Sequence, residues 1–358
     1  MKTSPFFSIV MPVYNVRAYI IDALKCVKDQ SCTDWELILV DDCSPDDSIE
    51  LAMQFFKNDP KVTVVRHKKN QGLSAARNSG MSTAKGKYIW FPDPDDTYKL
   101  TLLEDTKKTL EKFNTPPLIM FGHEEKWYKI NGKFSHCKKI SSKQTRLLDT
   151  DELRSNILVY EQNTQYGYAW NKIYNLNYLR LNNLSFKRIA YIEDIEFNIN
   201  VFQNLDSLAI LSGCYYSYSK RPNISLTGKY NAHFYEIHVE RIQLLYNQLS
   251  NWGDNYFNEQ TSSKLGVFLC RYIIASLRMN CFPDAQMSHW DRLNWCKKIY
   301  ENDFVENLIM HANVSKNIIL KICIYLLQNK KYNSLLFVGR SVYNVERYFY
   351  PLLSRLKS

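Results

Sequence analysis

Four short apolar runs, Ser8–Val13, Glu36–Val40, Val62–Arg66 and Tyr88–Phe91, alternate with helical patterns, and most of them end on polar or acidic residues. Parallel strands need a crossover between them, and a helix is the usual one. The alternation therefore predicts an α/β fold with a doubly wound parallel sheet. Val16, Ile20, Ala23, Leu24 and Val27 recur at helical spacing, with Asn15 as the expected cap. Ser44 is expected to cap the next helix, Pro45 to sit in its first turn, and Gly72–Ala84 to form a third. The polar groups collect at the strand ends: Tyr14-Asn15, Asp41-Asp42 and Asp93-Pro94-Asp95-Asp96. In open α/β sheets ligands bind outside the carboxyl ends of the strands, so a site is expected there.

Composition removes several classes. With 358 residues, 45% of them apolar, the chain can bury a sizeable core, which excludes disorder as its main state. The nine cysteines are scattered without a CxxC pair, so neither a disulfide framework nor a structural zinc site is suggested. The longest apolar stretch, Ile318–Leu327, is interrupted by Lys321 and is too short to span a bilayer. With no signal-peptide pattern at the N-terminus, a cytoplasmic address is expected.

The net charge of +10 is unevenly placed. Residues 1–100 and 201–310 are balanced, whereas residues 311–358 carry 8 basic groups and 1 acidic group. A nucleic-acid binder would spread its basic groups over a face with stacking aromatics, and none is expected as a partner. Lys316, Lys321, Lys330, Lys331, Arg340, Arg347, Arg355 and Lys357 among Ile, Leu, Phe and Tyr read instead as a basic amphipathic segment for an anionic membrane surface. The alternative is a helical cap packed on residues 231–310 or on a second subunit of a homo-oligomer.

Further along, Asn131-Gly132 marks a hairpin, Asp149–Val159 a helix, and Glu193-Asp194 the acidic first turn of another. From residue 231 the pattern is helical. The expected organisation is a nucleotide-binding domain over 1–230 and a helical region over 231–358.

Three carboxylates in Asp93-Pro94-Asp95-Asp96 repel one another unless a cation neutralises them, and hard oxygen ligands select Mg²⁺ or Mn²⁺. Taken alone, a solvated acidic turn is as good a reading. Asp42 could accept from a base or a ribose hydroxyl, or belong to a helix cap. Arg77, in Asn70-Gln-Gly-Leu-Ser-Ala-Ala-Arg-Asn-Ser-Gly80, could pair with phosphate or be a surface ion-pair partner.

In combination, Ser8-Ile-Val-Met-Pro-Val-Tyr-Asn15, Val40-Asp-Asp-Cys-Ser44, the Asn70–Gly80 segment and Phe91-Pro-Asp-Pro-Asp-Asp96 resemble the family 2 glycosyltransferases with a GT-A fold, found in bacterial surface-polysaccharide assembly. The resemblance covers about residues 6–225. It implies that Pro12, Tyr14 and Asp42 hold the uracil and ribose of a UDP-sugar, with Asn70 and Arg77 completing the pocket. It makes Asp93 and Asp95 the DxD pair, acting on ribose and, through a divalent metal, on the diphosphate, with Asp96 in support. Asp194 takes the place of the catalytic base, and an N-terminal helix acid is the plain alternative for it. Trp170, Lys172 and Glu193 resemble acceptor-side residues, and Arg221-Pro-Asn-Ile-Ser225 a segment over the diphosphate. Two departures stand out: Cys43 where the family has glycine, and Pro94 where serine is common.

The reading that follows is an inverting, metal-dependent hexosyl- or N-acetylhexosaminyltransferase acting on a glycan acceptor, expected to be lipid-linked, peripherally at the cytoplasmic face of a bacterial inner membrane. A different nucleotide-dependent transferase, or a non-catalytic nucleotide-sugar-binding scaffold, is the alternative. The absence of GxGxxG and GxxxxGK[ST] argues against dinucleotide and P-loop versions.

Overall fold

Strand β1, Phe7–Val13, is buried along its whole length, as expected of a strand covered by helices on both faces. It pairs in parallel with β2 (Trp35–Asp41) on one side and β4 (Tyr88–Trp90) on the other, and β2 pairs in parallel with β3 (Val62–Arg66). Val13 lies opposite Asp41, and Asp41 opposite Arg66, so residues 14, 42 and 67 leave the sheet side by side. The crossovers are α1 (Ile20–Lys28), α2 (Ser48–Phe56) and α3 (Leu73–Thr83). Phe7, Ile9, Met11 and Val13 alternate onto one face, where they meet Ile20, Ala23, Leu24 and Val27 of α1.

These are the elements of a computed structural model that describes residues 4–57, 59–129, 131–189, 191–221, 230–314 and 316–356, the last eleven as helical backbone only. The chain divides into two compact units, Met1–Pro222 and Asn223–Ser358.

Beyond β4 the sheet is mixed. After β5 (Thr97–Tyr98) and α4 (Leu102–Lys112) come the hairpin β6 (Leu118–Tyr128) and β7 (Phe134–Ile140), with Gly132 at φ +74° in its turn. Then follow β8 (Arg146–Asp149), α5 (Thr150–Gln162), β9 (Lys172–Asn175), α6 (Leu176–Leu181), α7 (Glu193–Gln203) and β10 (Ser207–Lys220). Among the described residues the order is β3-β2-β1-β4-β9-β6-β10-β5, with β7 on β6 and β8 on β10. Antiparallel β9 between β4 and β6 ends the parallel half of the sheet.

Two caps differ from expectation. α1 begins at Ile20, not after Asn15; Asn15 is left-handed at φ 53°, and its N–H donates to Ser44 Oγ at 2.9 Å. Ser44 is thereby used between loops, and Asp46 serves the start of α2 by accepting from Ser48 N at 3.2 Å. Both residue types favour caps and turns, and the tertiary contact between the two loops decides which they become.

In the second unit α9 (Glu259–Met279) is the central helix, packed by α8 (Phe234–Trp252), α11 (Asp303–His311), α12 (Ile318–Gln328) and α13 (Tyr332–Leu356). Gly266 allows α9 and α11 to touch, since a Cβ there would lie 2.2 Å from Leu308 O. The short α10 (His289–Lys298) starts at a capping box of Ser288 and Asp291. No helix among the described residues is long and apolar enough to cross a membrane.

Candidate active site

The carboxyl ends of β1 to β4 are fastened to one another by side chains. Asp42 is only 3% exposed, and its carboxylate already has three donors. Oδ1 accepts from Gln71 N at 2.8 Å and from His67 Nδ1 at 2.6 Å, and Oδ2 accepts from Gly72 N at 2.8 Å. On the other side of the ring, His67 Nε2 lies 2.8 Å from Ser79 Oγ on α3. Asp42 thus fixes the loop leading into α3, which starts on Gly72 at φ +86°, a conformation glycine adopts without a Cβ clash. Pro12 is buried within β1, whereas Tyr14 and Asn70 are exposed at the edge.

Cys43 follows Asp42 at φ 58° with its side chain exposed. A left-handed residue with a Cβ costs about 1–2 kcal/mol, partly offset by the extra chain entropy of glycine when unfolded. Cys43→Gly is expected to stabilise the protein by about 0.5–1 kcal/mol, read as a small rise in Tm. An unchanged or lower Tm would mean that the thiol makes a contact worth as much.

Arg77 is the largest departure from expectation. It is 1% exposed, not a surface residue. Its guanidinium donates to Asp194 Oδ1 and, through Nη2 at 3.1 Å, to Asp93 Oδ1. The Phe186 ring lies 5.1 Å from its Cζ. Asp194, at the start of α7, accepts a second hydrogen bond from Ala169 N at 3.0 Å on Oδ2. One buried cation therefore joins the turn after β4 to the first turn of α7; burial alone would lower its pKa, and the carboxylates of Asp194 and Asp93 outweigh that and raise it.

Pro94 occupies the second position of a turn closed by Asp96 N to Asp93 O at 3.4 Å, a place that suits its fixed φ. Burial pushes the Asp93 carboxyl up to about 7 against the pull of Arg77, and raises Asp95 and Asp96 as well. Asp96 Oδ1 accepts from Ser219 N at 2.8 Å, while Oδ2 has no hydrogen-bond partner of normal geometry among the described residues. Arg221 donates to the Asp95 main-chain carbonyl at 3.2 and 3.3 Å and stacks on Tyr19 at 4.2 Å. Residues 222–225 of that segment lie outside the described residues. Three carboxylates, Asp93, Asp194 and Asp95, thus pair with two guanidiniums, Arg77 and Arg221, and the Asp96 carboxylate adds its charge beside Asp93 and Asp95.

Trp170 and Lys172, expected on the acceptor side, are both buried. Trp170 is 2% exposed and stacks on Tyr216 at 4.3 Å and Tyr168 at 4.6 Å. Lys172 is fully buried, and its Nζ donates to the carbonyls of Gln165, Tyr166 and Tyr168 and to Asn171 Oδ1 at 2.6–2.9 Å. Burial pushes its ammonium down to about 7 against the pull of the Asp194 and Glu161 carboxylates. Glu193, beside Asp194, is raised to about 7 by burial and by that neighbour.

Three further residues complete the arrangement. The Tyr216 hydroxyl accepts from Asp93 N at 3.1 Å. Asn198, four residues after Asp194 on α7, donates to the carbonyls of Gly167 and Tyr168 at 3.0 and 3.1 Å, and Tyr174 in turn donates to Asn198 Oδ1 at 2.8 Å. Sequence reasoning missed Asn198, which only its i, i+4 spacing from Asp194 could have marked. Nothing local marked Tyr216.

Comparison with known proteins gives a consistent picture. Residues 8–172 match the sequence model of Glycosyl transferase family 2. The uncharacterized glycosyltransferase EpsJ of Bacillus subtilis is 27% identical over 310 residues, which is 86% of this chain and 87% of that protein. TuaG of the same organism, a putative teichuronic acid biosynthesis glycosyltransferase, is 42% identical over 100 residues, 28% of this chain and 40% of TuaG. S. aureus TarS 1–349 in complex with UDP-GlcNAc shares the fold, with a TM-score of 0.62 at 20% identity, covering 94% of this chain and 91% of that one.

Proposed function

We propose that this chain, whose residues 8–172 match glycosyl transferase family 2, is a member of that family and transfers a sugar from a UDP-sugar to a glycan hydroxyl in bacterial polysaccharide biosynthesis. The single observation that carries the reading is the Asp93–Arg77–Asp194 bridge. It joins the acidic turn expected to meet the donor to the carboxylate expected to act on the acceptor. The UDP-GlcNAc held by TarS and the polysaccharide role named for TuaG support the donor and the setting.

In this reading the acceptor oxygen attacks the anomeric carbon as its proton passes to Asp194. The bond to the UDP oxygen breaks with its electron pair, and one displacement inverts the configuration. Arg77 and the Ala169 N–H aim the Asp194 carboxylate, whose side chain stays 20% exposed and so open to a hydroxyl. Arg221 holds the turn bearing Asp95. In this reading the exposed Tyr14 and Asn70 meet the nucleoside, and Asp42 acts by fixing the Gln71-Gly72 loop next to Asn70.

A divalent cation fits the acidic turn. Among the described residues no three His, Cys, Asp or Glu side chains form a ready-made cluster, yet the carboxylates outnumber their counter-ions and are pushed up by burial. Asp93 and Asp95 would hold Mn²⁺ or Mg²⁺, and when bound the ion would offset charge on the departing diphosphate. The basic, apolar tail is read as a peripheral contact with an anionic cytoplasmic leaflet, where a lipid-linked acceptor would be found.

The test is calorimetric titration with UDP and a panel of UDP-sugars, with Mn²⁺ and with EDTA. Binding that prefers one UDP-sugar and weakens at least tenfold in EDTA or in Asp95→Ala is the expected result. An ion needs the carboxylates ionised, so Mn²⁺ affinity is expected to rise about tenfold from pH 6 to pH 8 as Asp93 loses its proton near 7. No binding of any UDP-sugar would move the reading to another donor or to a scaffold.

A further inference from the structure

The second unit has a cavity of its own, with a volume of about 560 Å³, which is within the range of small-ligand sites. Arg292 and His289 of α10 and Arg340 of α13 line it together with the apolar Leu336 and Phe337, and no carboxylate lines it. Neither guanidinium is in an ion pair with a carboxylate among the described residues. Asp291, the acid next to Arg292, is held in the helix cap by Ser288, whose N–H donates to it at 2.8 Å, and Arg292 acts on it less than those bonds do. Phe337 is 74% exposed, an apolar ring left in water beside two cations.

We infer that this cavity binds a phosphate ester carried on an apolar chain, the head group facing Arg292 and Arg340 and the chain covering Leu336 and Phe337. Planar guanidiniums match phosphate oxygens in bidentate fashion. A purely apolar ligand would leave two arginines facing it without an acceptor. A small hydrophilic anion would leave the apolar wall unused. The inference deepens the lipid-linked acceptor proposed above, and it rests on that reading for its biological ligand.

Farnesyl monophosphate, titrated into the full-length protein below its aggregation concentration, tests it, with farnesol and inorganic phosphate as the two half-ligands. Farnesyl monophosphate is expected to bind at least tenfold more tightly than either. The Arg292→Gln/Arg340→Gln variant is expected to lose at least tenfold in affinity. Lys316→Gln/Lys321→Gln, which removes the same charge elsewhere in the basic region, should stay within twofold. Phe337→Ser, at an exposed position that folding does not need, should weaken binding as well. Three results would each overturn the inference: no binding, equal binding of a half-ligand, or an equal loss in the lysine variant. A UDP titration of the same samples reads the first unit separately, so failure of the donor assignment is not confused with failure here.

Discussion

Asp194→Asn is expected to lower kcat by about 10²–10⁴-fold, the usual worth of a positioned proton acceptor, with the donor Kd within about twofold of the native value. The amide keeps the shape of the carboxylate and can still accept from Arg77, but its NH₂ group then confronts the Ala169 N–H across a 3.0 Å contact. A small loss of stability should therefore accompany the kinetic one, and thermal unfolding separates the two. Loss of donor binding together with kcat would instead make Asp194 part of the donor site, and the base would have to be sought elsewhere.

The second large effect belongs to Arg77→Met. Breaking a buried ion pair by removing one partner costs about 3–5 kcal/mol, because the remaining charge loses its compensation. Here two carboxylates would be left. For a unit of this size that is a fall in Tm of roughly 10 °C. The deficit should grow as pH rises past about 7, where Asp93 ionises in the native protein and stays protonated in the variant. A carboxyl whose folded pKa is raised contributes less stability as pH rises towards that pKa, and Asp93, already at about 7, would be raised further without its cation. Arg77→Lys should not restore the native Tm, since one ammonium cannot reproduce a planar fork between two acids. A variant that melts within about 2 °C of the native protein at pH 8 would show that the bridge carries little energy.

Much of the fold was legible in the sequence, because a strand covered on both faces must be an apolar run and its ligand-facing end must turn polar. Phe7–Val13 and Trp35–Asp41 show this pattern. The acidic turn and the first turn of α7 were also legible, as short spacings. What escaped was the state of individual charged and aromatic residues. Arg77 meets Asp194 across 117 positions of chain, and no local pattern tells a buried cation from a solvated one. Lys172 and Trp170 sit in one short segment, and their enclosure depends on β6, β10 and the loop before β9. Asn15 and Ser44 are each good caps in isolation, and only the parallel pairing of β1 with β2 brings them together.

The segment that presents the Ala169 N–H to Asp194 is tied by groups that ignore the identity of its residues. Lys172 takes the main-chain oxygens of Gln165, Tyr166 and Tyr168, and Asn198 takes those of Gly167 and Tyr168. These bonds persist through any exchange of side chain that the packing accepts, whereas adding or removing a single residue would put every oxygen out of reach. The segment is specified by its length more than by its letters. Drift by substitution is therefore open to it in evolution, and drift by insertion or deletion is closed.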